Sequence, residues 1–282
     1  MKDGVLPEQN IVRGERTGRC MKSEKECRNV QKHNNRFVNG MRDSMQKAGN
    51  EILNLIYPPR CPVCEEILHR GDGKVCPRCR KNLPYIEEPF CKKCGKPLRR
   101  QEQEYCTDCE EQNHEFLCGR AVFLYEKGFR RSVMRMKFQN HREYLDFYAE
   151  EMVREGERYL QSWRPGTILP VPVNKRKKRE RGFDQSVLLA KRIGKLTGIR
   201  VETKALERNR YTLPQKDLNA KERRKNLNGA FTLRQKTSLQ EPVLLIDDIY
   251  TTGATIDAVC RELKKNGIHR IYFLVICTGN GK

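Results

Sequence analysis

At 282 residues, with a net charge of +21 and 37% hydrophobic residues, the chain is too long for a single small core and too polar for a membrane-embedded protein. No stretch approaches the ~18 apolar residues needed to span a bilayer, and no apolar run follows the N-terminal charges, so the expectation is a cytoplasmic protein without membrane insertion. In that reducing compartment the 13 cysteines are expected to serve as thiolate ligands rather than disulfides.

Residues 1–44 show no sustained periodicity and carry scattered charges such as Arg13, Arg16 and Lys22, which predicts a disordered basic tail. Cys20 and Cys27 lie within it, too far apart for a knuckle. From Met45 the apolar positions Ala48, Ile52, Leu53 and Ile56 recur at helical spacing until Pro58-Pro59, predicting a lead-in helix. The stretch behind it is too short and polar to bury a core of its own, and together they make a module over 45–116.

Within that module Cys61, Cys64, Cys76 and Cys79 are repeated thirty residues later as Cys91, Cys94, Cys106 and Cys109. Each unit is a pair of Cys-x-x-Cys turns, and two such turns joined by a hairpin make a tetrahedral four-sulfur site that lets a coreless module fold. Two structural zinc ions are therefore expected. The repeat favours one ion per unit; interleaved pairing is the alternative.

Residues 117–282 change texture. Ala121–Tyr125 reads as a strand, Phe129, Val133 and Met136 mark a helix face, and a second helix runs from Tyr144 to Leu160. An apolar run over Thr167–Val173 leads into a basic loop and a helix over Gln185–Leu196, and a polar loop follows over 205–229. Pro242–Ile246 reads as a buried strand, Thr255–Lys265 as a helix and Arg270–Cys277 as another strand. Strands alternating with helices predict an α/β domain with a parallel sheet. This domain holds +17 of the charge, of which residues 174–234 alone supply +13, pointing to a phosphate-rich ligand or partner. Cys118, Cys260 and Cys277 read as core.

The richest segment is Asp247-Asp248-Ile-Tyr-Thr251-Thr252-Gly253-Ala254-Thr255. A buried strand delivers two carboxylates to its end, and a hydroxyl-rich turn then opens a helix whose start suits a phosphate. Adjacent acids would repel that phosphate unless they hold sugar hydroxyls or magnesium.

DDIYTTGAT resembles the 5-phosphoribosyl-1-pyrophosphate (PRPP) loop of type I phosphoribosyltransferases. Joined to the double zinc ribbon, VPV followed by RKKRERGFDQS, and RNRYTLPQKDLNAKERRKNLNGAF, it resembles the ComF family of competence proteins. The resemblance implies a phosphoribosyltransferase-like parallel sheet with helices on both faces. It also implies that Asp247 and Asp248 bind ribose hydroxyls, and that Thr251, Thr252, Gly253, Ala254 and Thr255 hold the 5-phosphate. Val171 and Pro172 would approach pyrophosphate, backed by Arg176, Arg179 and Arg181, with Lys137 as a further cation. Arg208 to Asn226 would form a mobile hood with Arg208, Gln215 and Arg223 as catalytic contacts. Magnesium would accompany PRPP. Arg176, Lys177, Lys178, Arg179 and Arg181 would meet single-stranded DNA beside a competence helicase. The family commonly has Asn at Asp184, and the Asp used by 6-oxopurine enzymes is absent at Thr251. A DNA-binding or adaptor protein that uses PRPP only as a regulatory ligand is the alternative.

Overall fold

The computed structural model describes residues 57–209, 222, 226, 227, 229–235 and 237–279. The predicted tail, the lead-in helix, Gln215 and Arg223 lie outside them. Nearly all the described residues belong to one compact unit, Pro59–Lys282.

Four strands form a parallel sheet: β1 (Cys118–Leu124), β2 (Thr167–Pro170), β5 (Val243–Tyr250) and β6 (Ile271–Thr278), in the order β1-β6-β5-β2. A short antiparallel pair, β3 (Leu206–Arg208) with β4 (Phe231–Leu233), lies outside it. The described helices are α1 (Pro77–Arg80), α2 (Thr107–Glu111), α3 (Lys127–Phe138), α4 (Tyr144–Trp163), α5 (Lys175–Arg181), α6 (Gln185–Thr197) and α7 (Ala254–Lys265). The Val-Leu-Leu-Ile run of β5 is fully buried, as a central parallel strand covered on both faces requires. Both faces carry helices, as the sequence implied, but unequally. One core joins β-strand residues Leu244, Ile246 and Leu274 to α3, α4 and α6. On the other face, Leu245, Phe273 and Val275 pack against α7, β3 and β4.

The zinc-ribbon segment contributes to both layers. Val75 and Leu83 enter the first core, and Ile86 and Phe116 enter the second. The thirty-residue repeat is visible in its backbone bonds: Cys61 N donates to Glu66 O at 2.8 Å and Cys91 N to Lys96 O at 2.7 Å. The residue inside each knuckle has positive φ, Glu65 at 66° and Gly95 at 75°. Glycine is required only in the second, where a Cβ would sit 3.0 Å from the Arg120 Cα of β1.

Expectations are corrected at several points, the first being that the polar loop over 205–229 contains strand β3 near its start. The basic segment after β2 is helix, not loop: the Asn174 side chain caps α5 by accepting from Arg176 N at 2.8 Å, and Gly182 closes it at φ 74°. It buries no residue, so no apolar stripe announced it. Strand β5 also runs beyond Ile246, pairing Asp247 with Val275 and Tyr250 with Thr278, so the two acids sit on the sheet itself. Cys260 and Cys277 are core, whereas Cys118 is half-buried. Among the described residues no helix is long and apolar enough to cross a membrane.

Glu151, 3% exposed on α4, clamps the first ribbon to the sheet layer. It accepts from Tyr85 Oη at 2.6 Å and pairs with Arg80 and with Arg154 at 2.5 Å. Burial, and then the Glu151 carboxylate, push the Tyr85 phenol up to about 12. Glu151→Ala strands these partners and is expected to cost about 2 kcal/mol, as an orphaned buried hydrogen-bond group does. Urea unfolding of the full chain measures it.

Candidate anion site and metal centres

The cysteines resolve into two sequential groups, Cys61, Cys64, Cys76 and Cys79, and Cys91, Cys94, Cys106 and Cys109, with the four sulfurs of each within 4.8 Å of one another. Interleaving is therefore excluded. Cys64 Sγ lies 3.7 Å from Cys76 Sγ, and Cys94 Sγ 3.6 Å from Cys106 Sγ. A tetrahedron with Zn–S bonds of ~2.3 Å has edges of ~3.8 Å, so both clusters have the dimensions of a closed four-thiolate zinc site. The crowded sulfurs push one another apart in acidity: hydrogen bonding with Cys106 lowers Cys91 and raises Cys94 and Cys109. A dication removes that conflict by stabilising all four as thiolates. Four cysteine ligands leave no open position, so both zinc sites are structural.

A second constellation lies at the carboxyl ends of the parallel strands, where ligands bind in open α/β sheets. Asp248 is buried on β5, and Asp247 beside it keeps part of its surface open. Lys137, near the end of α3, pairs with Asp248 Oδ2 at 2.9 Å. Gln185 Nε2, at the start of α6, donates to the same oxygen at 2.7 Å. Ser186 Oγ donates to Asp247 Oδ1 at 3.2 Å, and Asp248 N to that atom at 2.8 Å. Burial raises Asp248, but the Lys137 ammonium, the Gln185 amide and Arg181 outweigh it and hold the carboxyl below its ordinary range. Asp247 goes the other way: burial, then the neighbouring Asp248 charge, push it up to about 7.

Further cations face this pair. Arg208 at the end of β3 is held below its usual value by burial, opposed by Asp247. Lys177 on α5 is lowered by desolvation and then by Arg181, Arg208 and Lys137, which places these four positive groups within electrostatic reach of one another. The buried Nε and Nη1 of Arg181 have no hydrogen-bond partner among the described residues. Its guanidinium lies 4.8 Å from the ring of Phe138, which is 55% exposed. Four cations gathered on two acids leave a positive surplus that an anion would neutralise.

Beside them the bend 251–253 leads into α7. Gly253, at φ 78°, is the N-cap of that helix, which starts without a side-chain cap. The buried Thr252 Oγ1 has no partner among the described residues. A helix start of this kind offers N–H donors and partial positive charge to an anion. Val171, at the end of β2, donates its N–H to Ile246 O at 2.9 Å, which brings Pro172 and Val173 alongside β5.

The structure thus brings together Lys137, Lys177, Arg181, Arg208, Asp247 and Asp248, with the 251–255 bend nearby. Lys177, Lys178 and Arg179 are all exposed along α5, and Arg176 pairs there with Glu180 at 2.7 Å. Asp184 is a positioning group: it caps α6 by accepting from Val187 N at 3.2 Å and bonds Val173 N at 3.4 Å. Gln185 and Ser186 were visible in sequence only as the tail of RGFDQS. A shallow cleft of about 720 Å³ over the first ribbon gathers no such charge, since its Glu66 and Arg78 pair with each other at 2.8 Å.

The double zinc ribbon domain family matches residues 52–110. Competence protein F of Haemophilus influenzae is 32% identical over 145 residues, covering 49% of this chain and 63% of that protein. DNA utilization protein YhgH of Escherichia coli K12 is 32% identical over 113 residues, covering 40% and 49%. Competence protein ComFC of Bacillus subtilis is 25% identical over 151 residues, covering 52% and 58%. The chain therefore spans about half to just under two thirds of the length of these curated relatives. Fold, metal centres and matches together define a protein that joins a double zinc ribbon to a parallel α/β sheet. Its matched relatives, 25–32% identical, carry competence and DNA utilization names, in line with the resemblance to the ComF family.

The raised pKa of Asp247 gives a pH test. The folded protein holds a proton there that the unfolded chain has released, so the ligand-free protein loses stability as pH rises from about 4 to 7 and loses nothing further above that. Asp247→Asn is expected to raise the melting temperature of the ligand-free protein at pH 8 by about 2–4 °C, the shift that 1 kcal/mol produces in a domain of this size. The gain should vanish at pH 4; differential scanning calorimetry at both pH values checks the sign.

Proposed function

We propose that the chain binds PRPP with magnesium at the end of β5 and acts as a phosphoribosyltransferase. The observation that carries this reading is the convergence of Lys137, Lys177, Arg181 and Arg208 on the Asp247–Asp248 pair next to an uncapped helix start. The pyrophosphate of such a ligand neutralises the cations, its 5-phosphate sits on the bend 251–255, and its ribose hydroxyls engage the acids. Magnesium needs only one or two carboxylates when substrate phosphates complete its shell, which suits this donor set. In the transfer, pyrophosphate leaves C1 of an oxocarbenium-like sugar as a nucleophile attacks. The cations stabilise the leaving group and the acids face the developing sugar charge. The acceptor is left open.

A second reading follows from the outer face of α5, where Lys178 and Arg179 are exposed beside Phe138 and its Arg181 contact. A basic surface with an exposed ring suits single-stranded DNA, and one group of relatives is named for DNA utilization. On this reading the protein works in the cytoplasm in DNA uptake beside a competence helicase, with PRPP as substrate or as regulatory ligand.

In calorimetry with PRPP and magnesium, the double variant Asp247→Asn and Asp248→Asn is expected to weaken binding at least about 100-fold, as loss of several charged contacts does, while zinc stays near two per chain. Equal affinity in variant and wild type would contradict the site. Lys178→Ala with Arg179→Ala is expected to reduce the salt slope of single-strand binding by about 1.4, roughly 0.7 per phosphate contact removed, in fluorescence anisotropy. Pyrophosphate release against a panel of bases, amines and single strands separates enzyme from binding protein.

A further inference from the structure

The bend is buttressed from behind by the second ribbon. His114, five residues beyond the ligand Cys109, has a side chain only 1% exposed. Its ring stacks on Phe116 with centroids 4.9 Å apart, and Nδ1 lies 2.8 Å from Asp257 Oδ2 on α7. The other oxygen of Asp257 accepts from Glu115 N at 2.9 Å, and its own N–H closes the first helical turn onto Gly253 O at 2.8 Å. Lys264 of the same helix pairs with Glu115 at 2.8 Å. Residues 114 and 115 are therefore fastened to α7 at three points.

His114 also occupies the space behind Gly253. A Cβ at that position would lie 2.8 Å from His114 Cε1 and 2.8 Å from Tyr250 Oη. Glycine is thus demanded there twice, by its φ of 78° and by these two side chains. Tyr250, the last residue of β5, is itself held between the layers: its ring stacks on Phe273 at 4.8 Å and lies under Lys96 Nζ of the second ribbon at 5.6 Å. Two buried polar atoms are left over at this spot, His114 Nε2 and Tyr250 Oη, neither with a partner among the described residues. In the neutral ring, donation of Nδ1–H to Asp257 makes Nε2 an acceptor, and the phenol is a donor. Both side chains border the point that a Gly253 Cβ would occupy, so an acceptor and a donor lie together against the bend.

We propose that His114, oriented by Asp257, is a positioning residue that sets the 251–255 bend, so that the bend's grip on phosphate depends on the folded second zinc ribbon. The clause about phosphate rests on the reading of that bend as the 5-phosphate subsite; the mechanical brace does not. The ribbon then acts on the ligand site through the bend.

The test uses the full, zinc-loaded chain. His114→Leu keeps bulk and loses the bond to Asp257, whereas His114→Asn retains a donor near the Nδ1 position; Asp257→Leu removes the bond from the other side. Amide hydrogen exchange of residues 250–257 in the absence of ligand is expected to quicken roughly tenfold in the two Leu variants, the effect of losing one buried hydrogen bond, and to return toward wild type in His114→Asn. Exchange in β6 and a zinc content of two per chain should not change. Bend exchange in His114→Leu equal to wild type would overturn the brace, as would a loss of protection in His114→Asn as large as in His114→Leu. Calorimetry with PRPP and magnesium then reads the second clause: a roughly tenfold weaker Kd in His114→Leu supports it. Unchanged affinity despite a loosened bend overturns it, and absence of binding by the wild type overturns the phosphate reading while leaving the exchange result to decide the brace.

Discussion

Two adjacent carboxylates at the end of a buried strand set the electrostatic terms for everything around them. Side by side they repel, and burial raises both, so the folded chain must answer with positive charge from elsewhere. It does so from separate elements: Lys137 on α3, Lys177 and Arg181 on α5, and Arg208 on β3. These groups overshoot. Lys177 is held below its ordinary value by burial and then by Arg181, Arg208 and Lys137, with Asp248 opposing, so positive charge outweighs negative around it. A small anion at this point relieves a cost that the fold otherwise carries.

The parallel sheet fixes where that cost falls. Asp247 and Asp248 are hydrogen-bonded into the ladder with β6, and β2 runs alongside to bring Val171 and Pro172 to the same edge. The zinc ribbons complete the layers. One sheet face is covered by α3, α4 and α6 together with Val75 and Leu83; the other has α7 as its only long helix among the described residues, and Ile86, Phe116 and the second set of cysteines fill the remainder. A segment too polar to bury a core alone thus serves as packing material for a neighbouring sheet, with zinc supplying the order that apolar residues do not.

How much of this could be read from the residues depends on the kind of signal each part leaves. The cysteine repeat was legible because metal ligands impose spacing, and its thirty-residue period reappears in the backbone bonds of both knuckles. The Val-Leu-Leu-Ile strand and the α/β class were legible from apolar runs and periodicity. Helix α5 was not, because it buries nothing; its marks were a single Asn cap and a closing Gly. The far end of β5 was missed because acids and alternating exposure conceal a strand that continues in the ladder. Gln185 and Ser186 look like ordinary residues of a first helical turn until the fold places them against the acids. His114 gave no sign at all, since its partners are 143 positions away on Asp257 and behind Gly253. Of the expected hood, only Arg208, Asn209, Glu222 and Asn226 fall within the described residues.

The account turns on a phosphorylated sugar settling between the acid pair and the bend with both of its phosphate groups engaged. Phosphorus-31 NMR of PRPP titrated with the zinc-loaded protein in the presence of magnesium reads each group separately. Broadening or shift of the 5-phosphate and both pyrophosphate resonances, reversed by excess unlabelled pyrophosphate for the diphosphate pair, is the expected result. Resonances that stay at their free positions at a protein concentration equal to that of the ligand would contradict it.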